Sequence, residues 1–306
     1  MFRRIHWLEL LALVATLTGP AAAQAPSPPA PLDRLRSNIE RITRGVNARW
    51  GVYMKCLETG DEIAIGADEP MDTMSVIKIP LMVETYRQVE AGTIKLDDRY
   101  ILKEEDKRPG TGIIRTLDAG ASLSIKDVIT LMNTVSDNTA TDILFDKVGG
   151  VAPVNALMAE YGLKTIRATG TTDVWFKALR EAGDSAKFHL EAKTPFGLAS
   201  PRDIGRLLEK ISRGEAVSKN ASDAMLGIMR QQVYRSRIPK YVTGYAIPHK
   251  TGDFLPYIGN DVGLLESPGR QIVLVIFTAQ HYGVGANLED AIGRVAEQVA
   301  DYYGTR

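Results

Sequence analysis

The spacing of apolar residues predicts strands near both ends of the chain. Apolar positions recur every three or four residues from Leu32 to Arg44, as in an amphipathic helix. The segments 50–57 and 63–66 then alternate apolar and polar residues like strands, and Thr59-Gly60-Asp61 between them predicts a tight hairpin turn.

The middle of the chain has a mainly helical pattern, from Ser75 to about Ile211. Glycine and proline interrupt this pattern at Pro109-Gly110 and Gly149-Gly150. Beyond it, apolar runs bounded by turn residues predict three short strands, at 245–249, 262–265 and 271–278. A final helix is predicted for 288–303, where apolar residues again recur at helical spacing.

Strands at both ends with short links between them favour an antiparallel sheet over a doubly wound parallel one. We therefore predict an α/β (α+β) fold with a five-stranded antiparallel sheet, flanked by the N- and C-terminal helices. Residues 32–72 and 200–306 would form this sheet domain. An all-helical domain, residues 73–199, would be inserted between them.

The first residues have the pattern of an export signal. Arg3 and Arg4 precede the apolar stretch 8–17, and three alanines follow at 21–23. A buried helix is the alternative, but the run ends in Gly19-Pro20 and is too short to span a membrane. We predict a signal peptide at 1–23, a Pro-rich leader at 24–31, and a secreted or periplasmic protein without a stable membrane span.

Composition narrows the possible partners. The 306 residues contain 37 basic and 37 acidic side chains, so neither nucleic acid nor an anionic membrane is an expected partner. The only cysteine, Cys56, excludes an intramolecular disulfide and is expected in the core. His189, His249 and His281 lie far apart, so neither a metal site nor a cofactor is predicted. We expect a monomer.

Three short motifs point to chemistry: Ser75-Val76-Ile77-Lys78, Ser136-Asp137-Asn138 and Lys250-Thr251-Gly252. Each motif alone is weak, because average residue usage produces such short strings by chance. All three in this order are expected in fewer than about one chain in a hundred. The joint occurrence therefore predicts a catalytic site.

Residue chemistry supports the first motif as a nucleophile and its base. Ser75 precedes a helical run, and a serine and a lysine three positions apart on a helix share one face. A desolvated lysine such as Lys78 can take the proton of a serine hydroxyl, which is otherwise a poor nucleophile. A helix start adds a field that favours developing negative charge.

The other two motifs are less specific indicators of a substrate-binding site. Ser136-Asp137-Asn138 ends a helical run, and taken alone it would indicate a capped turn. Lys250-Thr251-Gly252 is predicted to end a strand, where Gly252 permits close approach of a ligand to the backbone. A cation and a hydroxyl at a strand edge suit a substrate carboxylate.

The three motifs together resemble the signature of class A β-lactamases and penicillin-binding proteins. The resemblance runs from about Trp50 to Ala279 and includes the string 136–142 and the Gly149-Gly150 turn. It implies an active-site serine hydrolase with a β-lactamase or transpeptidase fold. The implied substrate is a β-lactam or a cell-wall peptide.

The resemblance also implies roles for individual residues. Ser75 would be acylated, with Lys78 as its partner base. Ser136 would relay a proton to the leaving nitrogen, and Lys250 would be hydrogen-bonded nearby. Asn138 would help to hold the base and the substrate side chain.

The resemblance also assigns groups that would bind the substrate or its reacting oxygen. The backbone N–H groups of Ser75 and Asp253 would form the oxyanion hole, which stabilises the tetrahedral intermediate. Thr251 would contact the substrate carboxylate, with Gly252 beside it.

The chain departs from the class A pattern in the loop that bears Glu-x-x-Leu-Asn, whose glutamate activates the deacylating water. That string is absent, and Thr172 falls at the place of the glutamate, in a loop expected to carry an insertion. The candidate replacement bases in this region are Asp173, Glu181 and Glu191, followed by Asp184 and His189.

The arginine that often holds the substrate carboxylate from a neighbouring strand is also missing, because the stretch 259–263 contains none. Arg235 or Arg237 could reach the same anion from the preceding loop. Ordinary surface charges are the alternative for both.

Three functions remain open. The first is a class A-type β-lactamase that hydrolyses the β-lactam amide through a Ser75 acyl-enzyme, with antibiotic resistance or β-lactam catabolism as its role. The second is a D-alanyl-D-alanine peptidase or esterase of the penicillin-binding type with slow deacylation. The third, a non-catalytic binder of cell-wall peptide, is disfavoured because the motif residues are all intact.

Overall fold

A computed structural model describes residues 32–184 and 195–304. Its main sheet has five strands in the order β2-β1-β10-β9-β8, each antiparallel to its neighbours. The strands are β1 (Arg49–Cys56), β2 (Glu62–Ile65), β8 (His249–Phe254), β9 (Ile258–Ser267) and β10 (Arg270–Ala279). The predicted five-stranded antiparallel sheet is confirmed.

The two ends of the chain meet inside this sheet. Strand β1 pairs with β10 along its whole length, from Arg49 opposite Ala279 to Cys56 opposite Ile272. Cys56 is fully buried and has a free thiol, as expected of a small core residue. The sheet is therefore closed by long-range pairing, and β8 is left at one edge.

The terminal helices cover one face of the sheet. They are α1 (Leu32–Arg44) and α9 (Gly285–Tyr303), and they pack against each other. Their apolar residues, among them Ile39 and Val295, share a buried cluster with Val52 and Leu274 of the sheet. The helical spacing of apolar residues is thus explained by burial against the sheet.

The middle of the chain is mainly helical. Its helices are α2 (Lys78–Glu90), α3 (Ile125–Thr134), α4 (Asn138–Val148), α5 (Val151–Glu160), α6 (Thr172–Ala182), α7 (Pro201–Arg213) and α8 (Lys219–Met229). Five short strands form two small sheets there, and these strands had no counterpart in the sequence pattern: β3 (Met71–Asp72), β4 (Arg99–Ile101), β5 (Ser122–Ser124), β6 (Arg167–Ala168) and β7 (Gly197–Ala199). The predicted domain boundaries stay a prediction.

Two local predictions differ from the structure. The strand expected at 245–249 begins only at His249, because Pro248 has no N–H for the ladder, and Ala246 makes just an isolated bridge. The helix expected to start at Ser75 begins at Lys78, after a 3₁₀ turn at Met74–Ile77. The lysine of the first motif therefore opens the helix, and the serine precedes it.

None of the helices within 32–184 and 195–304 is long and apolar enough to cross a membrane. The signal peptide and Pro-rich leader predicted for 1–31 lie outside the described residues. They stay a prediction.

Candidate active site

A cavity of about 450 Å³ lies between the edge strand β8 and the helical part of the chain. It collects residues of all three sequence motifs, which are far apart along the chain. Its walls are formed by Met74, Ser75, Gly110, Thr111, Ser136, Asn138, Thr172, Trp175, Phe176, Phe196, Tyr234, Thr251, Asp253, Phe254 and Leu255.

Ser75 lies in the 3₁₀ turn, directly against strand β8. A Cβ atom added to Gly252 would lie 3.0 Å from the Ser75 backbone nitrogen and 2.5 Å from the Thr73 carbonyl oxygen. Only glycine fits this contact. Lys250-Thr251-Gly252, expected at the end of a strand, lies within β8 and packs against the turn that carries Ser75.

Lys78 is fully buried at the start of α2. Its Nζ lies 2.7 Å from the backbone oxygen of Ser136, 3.1 Å from the Ser136 hydroxyl and 2.9 Å from Oδ1 of Asn138. The first and second motifs are therefore joined by direct hydrogen bonds around one amine.

Lys250 reaches the same hydroxyl from the other side. It is also fully buried, and its Nζ lies 3.0 Å from Oγ of Ser136 and 2.8 Å from the backbone oxygen of Thr251. The Ser136 hydroxyl thus contacts two lysine amines. All three motifs meet at this atom.

Burial changes the protonation of both lysines. Desolvation lowers the pKa of Lys250 to about 7. Desolvation, followed by the positive charge of Lys250, lowers the pKa of Lys78 well below its ordinary value. Lowering the pKa of a lysine favours its neutral amine, which is the form that can accept a proton.

The loop that carries Ser136 has a left-handed backbone, with φ of 54° at Ser136 itself. Two sets of bonds hold it there. The Ser136 carbonyl accepts from Lys78 and from the Thr111 hydroxyl, and the Asp137 carboxylate accepts from the backbone N–H groups of Ile113 and Ala140. Asp137 therefore acts as the N-cap of α4 and as a tether for the neighbouring loop.

The loop around Pro109 forms a part of the cavity that the sequence analysis did not assign. Asn138 donates from Nδ2 to the Pro109 carbonyl, 2.9 Å away, and from its backbone to the Thr111 carbonyl. A Cβ atom on Gly110 would lie 2.7 Å from that Asn138 nitrogen, so glycine is required there. The Pro109-Gly110 break in the helical pattern was the signal available for this loop.

Helix α6 occupies the region where the class A loop glutamate was expected. Its first N–H groups are bound by the Asp142 carboxylate, 2.7 Å from the Thr172 nitrogen and 3.1 Å from the Asp173 nitrogen. Arg108 donates to the same carboxylate from 2.7 Å. The buried Thr172 side chain, predicted from the sequence to fall at the position of that glutamate, lines the cavity.

The candidate deacylation bases that the structure describes do not line this cavity. Asp173 and Glu181 are exposed on α6, and Asp184 is exposed just beyond it. Glu191 and His189 lie outside the described residues. The assignment of a base stays a prediction, and the geometry gives no contact that favours Asp173 or Glu181.

Aromatic side chains form one wall of the cavity. Trp175 packs edge-on against Phe176 at 5.0 Å and against Phe254 at 5.2 Å between ring centroids. Phe196 lines the same space. The sequence analysis missed this wall, because the four residues come from three separate segments.

The two candidate arginines differ in position. Arg235 is exposed, whereas the side chain of Arg237 is 3 % exposed and lies behind β8. Arg237 donates from Nη2 to the Asp253 carboxylate at 2.9 Å, and its other acceptors are the Asn260 carbonyl at 2.9 Å and Glu289 at 3.1 Å. Its guanidinium is therefore next to the cavity but paired with a cavity-lining carboxylate.

No group of three or more histidine, cysteine or acidic side chains with the arrangement of a metal site occurs in the described part of the chain.

Comparison with known proteins extends over most of the chain. Residues 34–303 match the family model described as the β-lactamase enzyme family. β-Lactamase VEB-1 of Pseudomonas aeruginosa is 25% identical over 287 residues, covering 89% of this chain and 91% of the relative.

Two solved structures are similar at the level of the fold and the sequence. The β-lactamase of Sphaerobacter thermophilus DSM 20745 has a TM-score of 0.77 and 28% identity, covering 88% of this chain and 97% of the other. A mutant of PBP-A, solved as an acyl-enzyme complex with penicillin G, has a TM-score of 0.76 and 27% identity, covering 90% and 98%.

Proposed function

Because the chain belongs to the β-lactamase enzyme family, we propose that it is an exported serine hydrolase that opens β-lactam amides through an acyl-enzyme on Ser75. One observation carries this proposal: two buried lysine amines meet at the hydroxyl of Ser136, beside the turn that holds Ser75. Such a cluster needs a catalytic explanation, because buried lysines are otherwise unfavourable.

In the proposed acylation, neutral Lys78 takes the proton of the Ser75 hydroxyl as its oxygen attacks the carbonyl carbon. The backbone N–H groups of Ser75 and Asp253 stabilise the resulting oxyanion. The Ser136 hydroxyl then passes a proton to the leaving nitrogen and is resupplied from an adjacent lysine. The C–N bond breaks, and the acyl group stays on Ser75 as an ester that water must hydrolyse.

A specific observation favours a second candidate, a peptidase or esterase of the penicillin-binding type. Thr172 stands where a water-activating glutamate would be expected, and a hydroxyl is a far weaker base than a carboxylate. Among the lining residues that the structure describes, the only carboxylate belongs to Asp253, which is paired with Arg237. This arrangement supports slow loss of the acyl group.

A chromogenic cephalosporin mixed with the purified protein separates these functions. Steady turnover that is abolished in Ser75→Ala supports the β-lactamase. A single burst, with a stable adduct on Ser75 detected by mass spectrometry, contradicts fast hydrolysis and supports the second candidate.

Absence of both turnover and an adduct would contradict both and favour a non-catalytic binder of cell-wall peptide. Ser122→Ala is the matched control, because Ser122 is an exposed serine on β5 outside the cavity. Its turnover is expected to equal that of the unmodified protein.

A further inference from the structure

The carboxylate of Asp72 joins the turn that carries Ser75 to a neighbouring strand. Asp72 lies on β3, three residues before Ser75, and its Oδ1 accepts from the backbone N–H of Met74 at 2.9 Å. The backbone N–H groups of Phe196 and Gly197, where β7 begins, also donate to this carboxylate. One side chain therefore collects three N–H groups from two segments that border the cavity.

The bond to Met74 holds an unfavourable backbone conformation. Met74 has a φ of 45°, in the left-handed region that residues other than glycine rarely adopt. Such a conformation persists only where the surrounding structure fixes it, and it is found most often at functional sites. The backbone of Met74 sets the direction in which the next residue, Ser75, presents its hydroxyl and its N–H. The carboxylate of Asp72 can therefore act on the nucleophile through the backbone.

The backbone of Asp72 is held independently of its carboxylate. It lies opposite Leu198 in the pairing of β3 with β7, and its carbonyl oxygen accepts from Nδ2 of the fully buried Asn260 at 2.9 Å. Loss of the carboxylate should therefore leave β3 in place, while it releases the N–H of Met74.

The ionised carboxylate of Asp72 is unfavourable for folding. Desolvation raises the pKa of Asp72 to about 6, although its three backbone N–H bonds act in the opposite direction. No charged side chain of the described residues contributes to this shift. Because the pKa is higher in the folded protein than its ordinary value, ionisation of Asp72 lowers the stability as pH rises through about 6. Such an unfavourable charge close to a nucleophile is typical of functional sites.

We propose that Asp72 is a positioning residue for the acylation of Ser75, because its carboxylate fixes the turn that presents the nucleophile and one N–H of the oxyanion hole. This inference rests on the proposed function, since it assigns a further residue to the same reaction. Asp72 does not line the cavity and acts through the backbone of Met74. Substitution of Asp72 should therefore slow the chemical step and leave substrate affinity nearly unchanged.

The test measures acylation of Asp72→Ala and Asp72→Asn by stopped-flow over a range of concentrations of a chromogenic cephalosporin. The rate constant at saturation is expected to fall at least about tenfold in Asp72→Ala and at least about threefold in Asp72→Asn, since small displacements of a reacting group are enough for such losses. Asp72→Asn is less affected because it keeps one acceptor oxygen. The dissociation constant of the initial complex should change by less than about twofold in both variants.

Measurements of stability distinguish this role from a merely structural one. Asp72→Asn removes the ionisable group, so its free energy of unfolding relative to that of the unmodified protein should increase from about pH 5 to about pH 8. Its acylation at the higher pH should nevertheless be slower. A residue that only supported the fold would lower the stability and the fraction of active molecules, and would leave the rate constant of the folded molecules unchanged.

Asp68→Asn is the matched control. Asp68 lies four residues before Asp72, its side chain is 71% exposed and pairs with Arg202, and it does not line the cavity. The rate constant of this variant should equal that of the unmodified protein. An unchanged rate constant in Asp72→Ala, or in Asp72→Asn if the alanine variant does not fold, would overturn the inference. An equal fall in Asp68→Asn would also overturn it.

The same measurements separate this inference from the proposed function. Acylation of the unmodified protein, together with an unchanged rate constant in the Asp72 variants, would overturn the role of Asp72 alone. No acylation of the unmodified protein would overturn the proposed function and the inference together.

Discussion

The hydroxyl group of Ser136 lies within hydrogen-bonding distance of two lysine amines, at 3.1 Å from Lys78 and 3.0 Å from Lys250. A hydroxyl both donates and accepts, so it can receive a bond from one amine while donating to the other. After desolvation, the positive charge of Lys250 is the next cause that lowers the pKa of Lys78, because two ammonium groups around one oxygen would repel each other.

This coupling predicts the pH dependence of acylation. A base must be neutral to accept a proton, so the acylation rate should rise as pH rises through the pKa of Lys78. The positive charge of Lys250 is one of the causes that lower this pKa. In Lys250→Gln the acid limb of the acylation rate should therefore move to higher pH, as measured by stopped-flow between pH 4 and 9.

Lys55→Gln is the matched control, because Lys55 pairs with Glu209 outside the cavity. Its acid limb should not move. An acid limb that stays in place or moves to lower pH in Lys250→Gln would contradict the proposed coupling.

The contact of Gly252 with the Ser75 turn gives a second prediction at the residue scale. In Gly252→Ala the new methyl group would press on the Thr73 carbonyl and the Ser75 nitrogen. We expect a loss of about 1–3 kcal/mol in the free energy of unfolding, as for overpacking elsewhere, and slower acylation. Denaturant unfolding and the burst rate measure the two effects.

Gly227→Ala provides the comparison, since Gly227 lies in α8 with no atom within 4 Å of the added Cβ. That substitution should stabilise the protein by about 0.5–1 kcal/mol through helix propensity. Equal effects of the two substitutions would show that the close contact at Gly252 is unimportant.

Among the elements, α6 forms one wall of the cavity. The Asp142 carboxylate binds its first N–H groups, and Arg108 is bound to the same carboxylate. One face of the helix brings Thr172, Trp175 and Phe176 to the cavity. The helix therefore supplies an aromatic wall and a hydroxyl, where the class A pattern would supply a carboxylate.

This arrangement predicts the effect of restoring a carboxylate. In Thr172→Glu the new side chain would face the cavity and could activate water, so the acyl-enzyme on Ser75 should decay at least tenfold faster, within the range of general-base catalysis. Mass spectrometry of the adduct over time measures the decay. A thermal unfolding curve shows whether the variant is folded.

Asp173→Ala is the neighbouring control. The Asp173 side chain is exposed and does not line the cavity, so its removal should leave the decay rate unchanged. Accumulation of the acyl-enzyme in Asp173→Ala would instead identify Asp173 as the deacylation base.

Sequence periodicity predicted the elements well where apolar spacing alone determines them. Helix α1 was predicted at Leu32–Arg44 and is found there. The segment 245–248 was wrongly predicted as strand, because its apolar pattern resembles a strand while Pro248 interrupts the ladder. The short pair β4 and β5 was missed, because three-residue strands have too little pattern to detect.

The candidate site was predictable to the extent that its residues occur in local motifs. Ser75 and Lys78 are only three positions apart, so a hydroxyl and an amine at helical spacing are enough to suggest a nucleophile and its base. The aromatic wall was not predictable, because Trp175 and Phe254 are brought together only by the tertiary fold. The pairing of Arg237 with Asp253 likewise depends on how the preceding loop packs behind β8.

In the molecule as a whole, one apolar core joins the sheet to the helical part. Val275 and Phe277 of β10 belong to the same buried cluster as Ile77, Met132 and Phe145 of the middle segment. The cavity lies where these two parts meet. Neither part has a separate core on this side of the sheet, so they should unfold together.

Two tryptophans can test this cooperativity. Trp50 is in β1 of the sheet, and Trp175 is in α6 of the helical part. In a Trp7→Phe background, Trp50→Phe and Trp175→Phe each leave one fluorescent reporter. In each variant, the fluorescence of the remaining tryptophan and the far-ultraviolet circular dichroism should show a single unfolding transition with the same midpoint in denaturant. This should hold even if the substitution changes the stability of that variant.

Separate midpoints for fluorescence and circular dichroism within either variant would contradict a shared core. The comparison is made within each variant, because Trp175 is buried and its replacement alters packing. In each variant, the free energy of unfolding is expected to fall linearly with urea concentration, with the same slope for both probes.

The base and the rim of the cavity are built differently, and this difference determines which positions can change during evolution. Its base is backbone against backbone, at positions such as Gly252 where no other residue fits. Its rim carries the partly exposed side chains of Tyr234 and Leu255, and surface positions usually change stability by less than about 0.5 kcal/mol. Substitutions that adapt the protein to new substrates are therefore expected at the rim. The residues at the base of the cavity should tolerate little change.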